Sequence, residues 1–280
     1  MQTLNYLVII LIIAGVISVL AFTPLVRKLK IRFYLIQVLA IVLFVYVFFG
    51  RQIIYLFPDV YGQNSQSSQN LDSLRLSRIF LLDLCPFFAV IAPVFVFLKQ
   101  KKISGVLAVF GLFGALVTLF GELIFTPVNE QDIVNFIFVG TGNNQIYFMM
   151  HFLSLLVSLA IILWDNCFSL ISFFYIHVFA LIYFSYVALM VSVFKGQITG
   201  NTTGILASDW TNGEYKNVAT FLNLSNSDPQ LVFIVGFSLS YVAILLMTLF
   251  ANIPTFMEMK KDKIFIKKEN LIRKDLELLA

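Results

Sequence analysis

Charge is what this chain has least of. Only 12% of its 280 residues are Asp, Glu, Lys or Arg, 60% are hydrophobic, and mean hydropathy is +0.92. A soluble globular domain does not reach such values, so the composition implies a polytopic membrane protein. Cysteine and histidine are equally scarce: Cys85, Cys167, His151 and His177 are the whole set. Without a CxxC pair or a His-rich tract, neither a disulfide framework nor a zinc site is indicated. No Gly-Lys-Ser phosphate loop, GxGxxG or HExxH occurs either, so no cofactor and no metal are expected. The net charge of +4 does not argue for nucleic acid as a partner, because the basic residues cluster beside apolar runs and act as topology signals. The abundance of Phe, Ile, Leu and Asn suggests an AT-rich bacterial genome.

What the chain has instead is long apolar runs. A helix of about 20 residues crosses a bilayer, and runs of that order lie near 4–26, 33–57, 78–98, 105–125, 146–164, 170–194 and 230–251. The first lacks a basic leader, is too long for a signal core and stops at Pro24 before "RKLKIR", so it is expected to be retained as a helix. The predicted fold is therefore all-α: a seven-helix transmembrane domain over 1–254, then a charged amphipathic cytoplasmic tail over 255–280, in a multi-pass protein of the cell membrane. With the N-terminus outside, 14 basic residues fall on the inner side and 5 on the outer side, Arg51, Arg75 and Arg78 among them being counted with the second loop. That asymmetry predicts N-out, C-in.

The outer connections 58–77 and 195–229 are rich in Asn, Ser, Gly and Gln, which suits solvent-exposed chain. The first is expected to be a flexible link. The second, which contains Trp210, is either a link or a lid over an outward-facing site. In the tail, Leu271, Ile272, Leu276 and Leu279 recur at helical spacing, consistent with a helix lying on the inner membrane surface or binding a protein partner.

An ionisable group at membrane depth is costly and defaults to a functional hypothesis. Asp83, Cys85, Glu122, His151 and His177 are the candidates. At 1.5 Å per residue, Cys85 lies about 10 Å and His151 about 8 Å below the outer ends of their helices, with Glu122 close to the outer end of its own. His177 and Cys167 lie toward the inner side and join no cluster. A thiol beside an imidazole is the minimal arrangement for nucleophilic attack on an acyl carbonyl, with Glu122 or Asp83 to orient the imidazole. Pro86 removes a backbone donor and releases the Leu82 carbonyl, so "LLDLCPFF" at 81–88 is expected to be an irregular site wall in which something polar re-satisfies that carbonyl. Gly111 and Gly114 are expected to permit close helix packing, a lipid-facing groove being the alternative.

Together, "FLLDLCPFFAVIAPVFVFL" at 80–98, "FGLFGAL" at 110–116 and "IYFMMHFLSLL" at 146–156 resemble the YwaF-like family of integral membrane proteins, bacterial relatives of transmembrane protein 164. The resemblance implies a phospholipid acyltransferase working through a thioester, with Cys85 as nucleophile and His151 as its base. The leading expectation is thus a lipid acyltransferase or acyl hydrolase whose partners are membrane lipids. The alternatives are a non-catalytic subunit or scaffold of a larger complex, held through the tail, and, third, a small-molecule transporter.

Overall fold

The computed structural model describes residues 3–57, 75–125, 133–138, 147–165, 171–200, 202–211, 215–223, 228 and 230–253. Cys167, most of the 58–77 connection and the 255–280 tail lie outside the described residues, as does the side chain of Glu122. The described chain is helical: α1 (Thr3–Lys28), α2 (Arg32–Leu56), α3 (Leu84–Phe97), α4 (Lys101–Phe125), α5 (Ile133–Phe138), α6 (Tyr147–Asp165), α7 (Ile171–Val193), α8 (Ala207–Thr211), α9 (Lys216–Phe221) and α10 (Gln230–Ile253). A helical turn over 75–79 precedes α3.

Seven stretches are long and apolar enough to cross a membrane: Tyr6–Lys28, Arg32–Leu56, Arg75–Phe97, Lys101–Phe120, Tyr147–Asp165, Ile171–Val193 and Gln230–Ile253. They coincide with the seven apolar runs to within a few residues, because a run of Leu, Ile, Val and Phe has no polar side chain to compete with the helical backbone bonds. The boundaries follow local chemistry. Leu98 and Lys99 close α3 in a tight turn, with Lys99 at φ +57° and the Gln100 amide donating to the Phe95 carbonyl at 2.9 Å.

The centre of the bundle is α6, which packs most extensively on α4 and also meets α2, α1 and α3. Burial reaches 67% of the apolar window in α4 and α6 and falls to 22% or less in α1, α2, α7 and α10. The peripheral helices therefore turn large side chains outward, such as Leu181, Phe174 and Phe250, an arrangement opposite to that of a soluble bundle. Close approach in the centre depends on small residues. A methyl at Gly111 would stand 2.5 Å from the Phe88 ring, and one at Gly114 would stand 2.7 Å from the Cys85 sulfur. Both glycines are buried, so they are packing sites and do not form a lipid-facing groove.

Between α7 and α10 the described residues around Trp210 are held by their own side chains. The Asp209 carboxylate accepts bonds from the Thr202 hydroxyl and from the backbone amides of Thr202 and Gly204, both at 3.1 Å. This ties a turn in which Thr203 and Gly204 both have positive φ. Trp210 lies over that turn, donates from Nε1 to the Gly204 carbonyl at 2.7 Å and is 2% exposed. Gly236 of α10 makes room for its ring, since a methyl there would lie 2.1 Å from it. Gly236→Ala is therefore expected to displace Trp210 at a cost of about 1–3 kcal/mol. A lower melting midpoint in detergent and a red-shifted tryptophan emission would show this; the chain has only one other tryptophan, Trp164.

Candidate functional site

The site begins at Pro86. A proline in a helix cannot bond to the carbonyl four residues back, so the regular helix starts at Leu84 and Pro86 falls in its first turn, where no such bond is needed. The first helical bond is donated by the Phe87 amide to the Asp83 carbonyl, at 3.1 Å. Upstream, Leu81 has φ +53° and Asp83 is extended, at φ −88° and ψ 140°. The released Leu82 carbonyl accepts two bonds, from the Tyr183 hydroxyl of α7 at 3.0 Å and from the Thr203 hydroxyl at 2.6 Å. The irregular wall expected from "LLDLCPFF" is present, and the polar groups that stabilise it come from α7 and the Trp210 segment. Tyr186 reinforces the join by donating to the Phe80 carbonyl at 2.8 Å.

The extended Asp83 points its carboxylate across to Arg51, at 4.0 Å. Arg51 and Gln52 lie in a π-helical turn, Phe48–Gln52, inside α2. Such a turn inserts an extra residue into the helix and re-aims its neighbours, and both side chains are 5% exposed. Arg51 also donates to the Met150 sulfur at 3.2 Å, and Gln52 donates to the Arg78 carbonyl at 2.7 Å. The Arg78 guanidinium sits over the Tyr55 ring, 4.7 Å from its centroid. Arg51 and Arg78 were both expected in an outer loop; they are interior residues, buried by their pairing with Asp83, Met150 and Tyr55.

Cys85 and His151 are both buried. Cys85 is 6% exposed, faces Gly114, and lines a cavity of about 10 Å³ together with Leu84, Val117, Thr118 and Tyr215. Leu84 and Tyr215 also line a second cavity of about 20 Å³, walled by Phe113, Phe184, Trp210, Phe237 and Ile244. His151 is 2% exposed. Its Nδ1 is 2.7 Å from the Tyr147 carbonyl; a carbonyl only accepts, so Nδ1 carries the proton and Nε2 is the basic nitrogen. The imidazole thus bonds within its own helix while the thiol faces α4. Ser154 and Ser158, both fully buried, continue the His151 face of α6 at helical spacing.

The remaining expected residues separate from this group. His177 is exposed on α7, bonds to the Phe173 carbonyl and packs edge-on against Tyr241, so it serves as a packing residue. Asp83 pairs with Arg51. Sequence reading missed Tyr183, Thr203 and Asp209, and it assigned Arg51 and Arg78 to a loop. A signal for Arg51 was available in "FFGRQIIYLF" at 48–57, where Arg and Gln interrupt an apolar run that continues beyond them. Among the described residues no group of three or more His, Cys, Asp or Glu is placed to hold a metal.

A family described as being of unknown function, DUF5378, matches residues 9–277. The chain is 67% identical over 272 residues to a Mycoplasma pneumoniae protein described as an uncharacterized MG135 homolog, with 95% of each chain covered. No solved structure matches. The resemblance to the YwaF-like family accordingly rests on the short motifs around Cys85, Gly111, Gly114 and His151.

The double bond to Leu82 makes a direct test. Tyr183→Phe alone leaves Thr203 on the carbonyl and should cost about 1 kcal/mol. Adding Thr203→Val strands a buried acceptor, and the pair should cost more than the two single changes together. Denaturation midpoints of the four proteins measure that coupling; simple additivity would count against a shared acceptor.

Proposed function

The chain belongs to the DUF5378 family, and from that premise we propose that it is a multi-pass protein of the cell membrane, N-terminus outside and C-terminus cytoplasmic, that handles lipid esters through Cys85. The observation that carries the reading is that the Cys85 thiol lines a small cavity that shares Leu84 and Tyr215 with an apolar cavity lined by Trp210. Each of these cavities has room for little more than a water molecule. Substrate entry therefore requires the Trp210 segment to lift, which is the lid role that the 195–229 connection suggested.

In this reading a lipid acyl chain enters along Phe113, Phe184 and Phe237, bringing its ester carbonyl to Cys85. The thiol proton passes to Nε2 of His151, the sulfur bonds to the acyl carbon, and the ester C–O bond breaks. The proton then leaves His151 for the lyso-lipid alkoxide. The acyl-enzyme is discharged to an acceptor hydroxyl or to water, which is the difference between a transferase and a hydrolase. For this to happen His151 must rotate from Tyr147 toward the thiol on substrate entry, as catalytic hydrogen bonds commonly tighten only in the complex.

Intact-protein mass spectrometry of the purified chain incubated with mixed phospholipids tests this. The wild type should acquire a hydroxylamine-sensitive fatty-acyl adduct, Cys85→Ser should acquire none, and His151→Gln should form it at least about 100-fold more slowly. An adduct that persists in Cys85→Ser would sink the assignment. No adduct with any lipid class would favour the non-catalytic subunit, for which the large apolar flanks of α1, α2, α7 and α10 offer the partner surface.

A further inference from the structure

At the end of the bundle away from Cys85, the chain carries a second feature with a different chemistry. The C-terminus of α1, the start of α2, the α3–α4 turn and the C-terminus of α6 meet there: Arg27 donates to the Leu163 carbonyl at 2.6 Å, and Trp164 donates to the Thr23 hydroxyl at 3.2 Å. Arg27, Lys28, Lys30, Arg32, Lys99, Lys101 and Lys102 all fall in these segments. Among the described residues, the acid set against them is Asp165, which is engaged by Lys101 at 2.6 Å. Lys102, exposed on the first turn of α4, is one of the cations left to face outward.

Between α4 and α7, beginning at Lys102 and Gln100, runs a groove of about 390 Å³. This is large beside the roughly 10 and 20 Å³ at Cys85. Its wall is apolar, formed by Val106, Tyr175, Phe179 and Ile182. The α7 residues 175 to 182 extend it by about 10 Å along the helix axis. The groove is therefore amphipathic along its length, cationic at the mouth and hydrocarbon-like below.

We propose that this groove holds an anionic phospholipid, with one acyl chain along Val106, Phe179 and Ile182 and the phosphate at Lys102 and Gln100. The proposal rests on the membrane placement argued above but is independent of Cys85. Charge complementarity identifies the occupant. A basic pocket between membrane helices recruits anionic headgroups, and the aliphatic stem of Lys102 can lie on the groove while its ammonium meets the phosphate. The chain's own tail is a poor occupant, since residues 255–280 carry seven basic residues against five acidic ones. A second copy would bring the same basic end against this one.

The test uses the full chain in nanodiscs of equal phosphatidylglycerol and phosphatidylcholine, released into mild detergent and weighed by native mass spectrometry. The wild type should retain phosphatidylglycerol in preference. Lys102→Glu should reduce that preference about fivefold or more, and Val178→Trp should fill the groove and reduce retention of both lipids. Lys102 is exposed, so its variant is expected to fold normally, and an unchanged melting midpoint verifies this. Equal retention of the two lipids by the wild type, or an undiminished preference in Lys102→Glu, would overturn the proposal. An alkaline carbonate wash of membranes, in which the chain should stay with the pellet, separates a failure of this site from a failure of the membrane placement.

Discussion

The carbonyl of Leu82 is the point on which the interior depends. Pro86 denies it a helical partner, and a buried carbonyl without a hydrogen bond costs on the order of 1–3 kcal/mol. Tyr183 and Thr203 supply the two bonds, and in doing so they fasten α7 and the Trp210 segment to the start of α3. The same break leaves Asp83 extended and directed at Arg51, and it starts the helix so that Cys85 falls one residue inside it, against Gly114.

Burying Arg51 and Arg78 in so apolar a protein would be unfavourable if either charge stood alone. Their surroundings reduce that cost by different means. Arg51 reaches a carboxylate and a thioether, while Arg78 lies on the face of Tyr55, where the ring's negative charge density attracts a guanidinium. The π-helical turn of α2 makes this geometry available, because a regular helix would carry the Arg51 side chain to a different bearing. The polar interior is thus a joint between α2, α3, α6 and α7.

The two proposed lipid contacts differ in kind. At Cys85 the space is small and adjoins a cavity lined by Trp210, which suits a transient occupant admitted by motion. At Lys102 the groove is open along α4 and α7 with a cation at its mouth, which suits a resident one. The first depends on thiol chemistry and the second on charge and shape, so either stands without the other.

The seven long apolar helices and the packing role of Gly111 and Gly114 were legible in the sequence alone. Helix formation in an apolar run is a local matter of backbone bonds, and a missing Cβ permits close approach whatever the partner is. The release of the Leu82 carbonyl was legible for the same reason, since it follows from the covalent structure of proline four residues on. Which groups would satisfy it was not: Tyr183 and Thr203 lie about a hundred residues away in the chain, and only the packing of α7 against α3 brings them there. The tertiary structure likewise decided that Arg51 and Arg78 are interior and that Asp83 pairs with Arg51, because the burial of a charge depends on a partner supplied from another helix.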